Sequence, residues 1–150
     1  MKEKLWVFIA KFLLISIPLF FLWYWKGEDA YLVFLNYVLT FLLIKIAGFN
    51  LPYFPAPKDI FNNLIPFVSL MLITRGIPNR KRVLWLAEGL LILIGWHMVI
   101  TEMVYFLGVD SVAYERFSVP LYLFSETLPF ILWIIFARRQ VSGLFLRQKN

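Results

Sequence analysis

The chain has 150 residues, of which 61% are hydrophobic and only 16% charged, against roughly 45–50% apolar and about 25% charged in a soluble domain. With a mean hydropathy of +0.76 it carries more apolar surface than a globule of this length can hide, which excludes a water-soluble fold and predicts embedding in lipid. The absence of cysteine excludes disulfides, thiolate metal sites and a cysteine nucleophile, and in lipid the formal net charge of +6 reports orientation and contact with anionic headgroups rather than nucleic acid.

Residues 5–25 form an apolar run broken only by Lys11, Ser16 and Pro18, long enough as a helix to cross a hydrocarbon core of about 30 Å. It closes on Trp23-Tyr24-Trp25, an interfacial aromatic belt, and no small-x-small cleavage site follows, so a retained anchor is expected. Residues 30–47 are again apolar, interrupted by Asn36, Thr40 and Lys45, and read either as a further span or as a helix lying along the surface. The three prolines of residues 48–57 (GFNLPYFPAP) preclude a regular helix there and predict an extended connector. Residues 57–77 open on a proline and make a short span whose Asn62, Asn63 and Pro66 need cover from neighbouring helices. Residues 83–107 and 117–137 are the last two spans, each of crossing length.

Charge decides between the readings of residues 30–47. Lys2 and Lys4, the turn with Arg75, Arg80, Lys81 and Arg82, and the tail with Arg138, Arg139, Arg147 and Lys149 are the basic clusters, and all of them belong on the cytoplasmic side. Four crossings with residues 30–47 at the outer interface satisfy that rule; five do not. The expected fold is therefore all-α, a polytopic transmembrane bundle of four spans plus one interfacial helix, with five spans as the alternative. It divides into a transmembrane domain, residues 1–137, and a basic cytoplasmic tail, 138–150, with both termini cytoplasmic. The tail reads as a solvated stop-transfer segment, or else as an amphipathic foot on anionic lipid.

Ionisable residues within a span cost about 2.5–3.5 kcal/mol at a helix centre, so each needs a reason. Glu88 sits near the basic end, where it can snorkel, and Glu102 near the outer boundary. His97 falls about 15 Å below Leu107, and Glu126 about 13 Å below Phe117, so antiparallel neighbours bring them to similar depth as a buried pair. Asn62, Asn63, Glu102 and Ser125 complete a candidate polar cluster with His97 and Glu126. One reading of it is a site that handles a proton or a polar substrate; the other is interhelical hydrogen bonding that fixes the bundle. One histidine with scattered carboxylates lacks the paired spacing of a zinc or di-iron site, and there is neither a phosphate-cradling glycine loop nor a dinucleotide fingerprint, so no metal or cofactor is expected.

Five stretches carry a resemblance: LLIKIAG at 42–48, Phe61-Asn62-Asn63 leading into a span, the turn RGIPNRKR, GWHMVITEMVYFLG closing the next span, and Pro120 to Phe124 opening the last. Over roughly residues 42 to 136 this order resembles the exosortase and archaeosortase family of membrane transpeptidase-like proteins. By the family pattern a nucleophilic cysteine is expected near Phe61, an arginine near Ile100 and a histidine near Pro120; none of these residue types stands there, so the catalytic residues do not carry over. The resemblance implies an inactive relative or accessory protein in a prokaryotic cytoplasmic membrane. Such a protein would act through intramembrane helix contacts with a sorting enzyme or with a client's hydrophobic C-terminal segment. The alternative expectation is an intramembrane enzyme or transporter-like protein that uses a buried His97 and Glu126 pair.

Overall fold

The computed structural model of the chain describes residues 5–46, 48, 58–107 and 112–145. Among these every regular element is helical: α1 (Leu5–Leu22), a π-helical stretch (Trp23–Gly27), α2 (Glu28–Thr40), a second π-helical stretch (Phe41–Ile46), a 3₁₀ segment (Lys58–Asn63), α3 (Leu64–Ile73), α4 (Asn79–Leu107), α5 (Val112–Phe136) and α6 (Arg138–Phe145). Three helices are long and apolar enough to cross a membrane, Leu5–Thr40, Asn79–Val104 and Arg116–Phe136, and Phe61–Ile73 is a shorter apolar one. The all-α helical bundle expected from composition is the observed fold, and it is a membrane protein by the length and apolarity of its helices. Lys2, Lys4, Arg147, Lys149 and nearly all of the proline-rich connector lie outside the described residues.

The second apolar segment is not set off from the first by a turn. Gly27 keeps right-handed helical angles (φ −64°, ψ −42°), and the helix runs from α1 into α2 through one π-helical stretch. A five-span arrangement needs the chain to double back between the belt and Tyr31; a helix without reversal crosses at most once. The 36 residues of Leu5–Thr40 span about 54 Å, well beyond a hydrocarbon core of about 30 Å. The far end of this helix therefore continues alongside the part of α4 remote from the Arg75–Arg82 turn. Leu35 and Leu39, one helical turn apart, bury with Phe61, Ile100 and Val104.

α3 is the axle of the bundle, packed against α1, α4 and α5. Seven of its ten residues are buried, which explains how a short segment with Pro66 and an asparagine-rich entry persists among apolar spans: protein, not lipid, surrounds it. The remaining helices are apolar on the outside. Leu14 and Phe21 are each 74% exposed, whereas α1 buries only Phe8 and Ser16, an inverted pattern that hydrocarbon, not water, accommodates.

At the basic end α3 stops at Thr74, where the backbone turns extended (ψ 114°) and Gly76 takes φ 82°, a left-handed angle that favours glycine. The Thr74 hydroxyl donates to the Leu70 carbonyl at 2.6 Å and accepts from the Trp133 indole N–H at 2.8 Å, while the Arg82 guanidinium donates to the Thr74 carbonyl at 2.9 Å. A cation thus closes the carbonyl end of α3, and Phe8 stacks on Trp133 at 5.8 Å. This brings the beginning of α1 and the Arg75–Arg82 turn to one end of the bundle. The start of α6 joins them there through Gln140, whose side-chain N–H₂ donates to the Gly76 carbonyl at 3.3 Å. Residues 138–145 are thus not the solvated tail of the plainer expectation: they form a helix whose Val141 is buried in the same core as Ala137 and Trp133, so the expected boundary at residue 137 does not divide the packing.

α3 and α4 meet where Gly89 faces Phe67, and a Cβ added at Gly89 would overlap the Phe67 ring, while one at Gly95 meets nothing within 4 Å. Both positions are mid-helix, so alanine improves local helix propensity equally at each. Gly89→Ala is expected to lower the thermal midpoint in detergent by the equivalent of about 1–3 kcal/mol of overpacking, and Gly95→Ala to leave it unchanged or raise it. Equal effects at the two sites would contradict the packing described.

Candidate functional site

Between the two ends, four segments converge on one buried polar node. Its origin is a proline. In a helix the carbonyl of residue i accepts from the N–H of i+4, but residue 129 is Pro129 and has no N–H, so the carbonyl of Ser125 loses its helical partner. The Asn63 side chain supplies the replacement: its Nδ2 donates to the Ser125 carbonyl and contacts Ser125 Oγ, both at 3.0 Å.

That bond fixes everything after it. A carbonyl only accepts, so the amide nitrogen of Asn63 faces Ser125 and Asn63 Oδ1 faces His97 Nε2 at 2.9 Å. Nε2 must then carry the proton, which leaves Nδ1 as an acceptor for the Tyr31 hydroxyl at 2.7 Å. The order is Tyr31 O–H to His97 Nδ1, His97 Nε2–H to Asn63 Oδ1, and Asn63 Nδ2–H to the Ser125 carbonyl, each donor meeting one acceptor. Phe61 closes on the imidazole edge at 4.9 Å and Tyr31 at 5.7 Å, both in T-shaped contact. His97, Asn63 and Ser125 are fully buried. The node ties α2, the 3₁₀ segment, α4 and α5 together with neutral groups.

Of the six residues expected to cluster, three do: Asn63, His97 and Ser125. Asn62 is turned aside, its Nδ2 donating to the Tyr24 hydroxyl at 3.2 Å. Glu102 is half-buried further along α4 and takes no part in the node. Glu126 does not join His97. It follows the buried Ser125 by one residue, about 100° around the helix, and is exposed on the outer surface of α5. The expected buried His97 and Glu126 pair is therefore absent, and proton handling by that pair has no geometric basis.

Tyr31 is the participant that sequence reasoning misses, because the charge pattern puts residues 30–47 at the outer interface, away from the bundle interior. The spacing Tyr31, Leu35, Leu39 is a signal that was available, a helical stripe that needs a partner face. The interval from Ser125 to Pro129 was a second, marking a carbonyl in want of a donor.

No group of three or more His, Cys, Asp or Glu side chains able to hold a metal occurs among the described residues. Both imidazole nitrogens are committed and the ring is out of reach of solvent, so the node's hydrogen bonds join four segments of the bundle. Compared with protein-family models, with curated proteins and with solved structures, the chain finds no match in any of the three.

The proline origin of the node is testable by a double-mutant cycle. Asn63→Ala strands the Ser125 carbonyl and the His97 N–H, and is expected to cost about 1–2 kcal/mol of unfolding free energy in detergent. In a Pro129→Ala background the restored backbone N–H serves the carbonyl, and the same Asn63→Ala change is expected to cost about 1 kcal/mol less. Additive losses would show that Asn63 and Pro129 act independently.

Proposed function

We propose that this chain is a non-catalytic integral membrane protein that pairs, within the bilayer, with a partner helix laid along the outward face of α5. The observation that carries the reading is the position of Glu126. It stands ten residues after Arg116 and twelve before Arg138, so about 15 and 18 Å of helix separate it from the charged ends of the span, near the middle of a hydrocarbon core of about 30 Å. Its side chain is exposed and makes no hydrogen bond or ion pair among the described residues. A charged carboxylate facing lipid at that depth costs several kcal/mol, whereas a hydrogen-bond donor on a neighbouring helix removes much of that cost.

The surroundings of Glu126 support a helix as the occupant. Val119, Leu123, Phe130 and Ile134 are 63%, 64%, 43% and 49% exposed, and at offsets of −7, −3, +4 and +8 they share its face. The contact surface is therefore the outside of α5 and not the polar node, whose Asn63, His97 and Ser125 are sealed inside the bundle. The resemblance to exosortase-type proteins gives the class of partner: a membrane sorting enzyme, or the hydrophobic C-terminal segment of its client. The gathering of Arg75, Arg80, Lys81, Arg82, Arg138 and Arg139 at one end supports that end, with both termini, on the cytoplasmic side, and the resemblance gives a prokaryotic cytoplasmic membrane as the setting.

Because the chain has no cysteine, a single Phe130→Cys places a unique cross-linker on the stripe. It is expected to capture a membrane partner in native bilayers, and Glu126→Leu to reduce co-purification from mild detergent by about tenfold with folding intact, the equivalent of about 1.4 kcal/mol. A chain that is captured by nothing, or that retains its partner fully after Glu126→Leu, would refute the reading.

A further inference from the structure

The basic end carries a second feature that helix pairing does not use. A cavity of about 510 Å³ opens between the Gly76–Pro78 turn, the first turns of α4 and the junction of α5 with α6, lined by Lys81, Trp85, Phe136, Arg138, Arg139 and Gln140 among others. Three cations and no carboxylate line it. On α4 the nearest acidic residue is Glu88, seven residues beyond Lys81 or about 10 Å along the axis. Trp85 and Phe136 stack at 6.1 Å with an interplanar angle of 20°, forming an aromatic wall, and Ile135 continues the apolar lining. The Gln140 side chain bonded to the Gly76 carbonyl at 3.3 Å straps α6 across the turn, so the two arginines are held over the cavity by packed elements.

The geometry points to a site for an anionic phospholipid, its phosphate among Lys81, Arg138 and Arg139 and its glycerol and first methylenes against Trp85, Ile135 and Phe136. Three features favour a lipid over a free anion. The cations stand where the apolar spans end, which is headgroup depth. The lining grades from guanidinium and ammonium to indole, phenyl and aliphatic groups, matching an amphiphile rather than a small ion. Guanidinium groups also meet a phosphate through paired N–H donors, which a zwitterionic headgroup, carrying its own cation, satisfies less well. α6 then serves as a lid over a bound headgroup rather than as a foot on bulk lipid.

The test uses the full chain in a neutral detergent, with native mass spectrometry counting bound short-chain lipid. One phosphatidylglycerol is expected to bind saturably, at least about tenfold more tightly than phosphatidylcholine of the same chain length. The combined variant Lys81→Gln, Arg138→Gln, Arg139→Gln is expected to lose that preference, since each basic residue near an anionic surface contributes a factor of about five. Lys81→Gln alone, at an exposed position, is expected to weaken binding by about fivefold and keeps the test open if the combined variant does not fold. Arg80→Gln, exposed at the same end and outside the lining, is expected to bind as the parent does. Equal affinity for the two lipids, or an Arg80→Gln loss matching that of Lys81→Gln, would overturn the site in favour of diffuse charge. Inorganic phosphate that competes at the affinity of phosphatidylglycerol would overturn the lipid assignment in favour of a soluble anion.

Discussion

One missing hydrogen-bond donor organises the bundle. Pro129 leaves the Ser125 carbonyl without its helical partner, in a place where no water can reach it, and an unmet backbone group in such surroundings costs several kcal/mol. Asn63 meets it, and by doing so orients its own amide, sets the tautomer of His97 and calls for the Tyr31 hydroxyl. Interhelical hydrogen bonds in membranes are individually modest, averaging about 0.6 kcal/mol, so the node contributes specificity more than bulk stability. Sliding α2, α4 or α5 along its neighbours by one turn strands the donor or acceptor it brings. Lower down, Thr74, Trp133 and Arg82 close the basic end in the same fashion. Between these layers the contact is dry, with Phe67 pressed onto the bare backbone of Gly89.

The helical class, three crossing-length segments and the shared level of His97 with residues 125 and 126 were legible in the sequence, because each depends on local composition and on a fixed rise per residue, whereas the span expected at residues 57–77 gives only the shorter apolar helix Phe61–Ile73. Of the expected basic grouping, the Arg75 to Arg82 turn and Arg138 and Arg139 do meet at one end, through the packing of the α3–α4 turn against α6. What escaped was direction around a helix. Ser125 and Glu126 are neighbours in the chain, yet one faces the core and the other the lipid, and depth arithmetic alone could not say which of them His97 would meet. The continuous passage from α1 into α2 also escaped, since Lys26, Gly27, Glu28 and Asp29 look like a break. In the fold that polar interval falls within a single long helix, where Tyr24 and Trp25 remain exposed and Trp23 turns inward onto Tyr31 at 5.5 Å.

Interior and exterior therefore have different tasks. Inside, the Tyr31, His97 and Asn63 donors each meet an acceptor, and the node joins helices through neutral hydrogen bonds. Outside, Glu126 on α5 and the cationic cavity beside α6 each present charge without an opposite charge of their own. We propose a partner helix for the first and a lipid phosphate for the second. Both depend on the node, because the rotation of α5 that buries Ser125 is what turns Glu126 outward, and the same helix carries Ile135 and Phe136 to the cavity wall.

His97 is the single histidine of the chain, so ring nitrogen-15 spectroscopy of histidine-labelled protein in bilayers reports on the node without ambiguity. The account predicts one sharp pair of resonances, with Nε2 protonated and coupled to its hydrogen and Nδ1 unprotonated with the shift of a strong hydrogen-bond acceptor. A ring protonated at Nδ1, or one averaging between tautomers, would contradict it, because neither is compatible with an Asn63 amide held to the carbonyl that Pro129 leaves open.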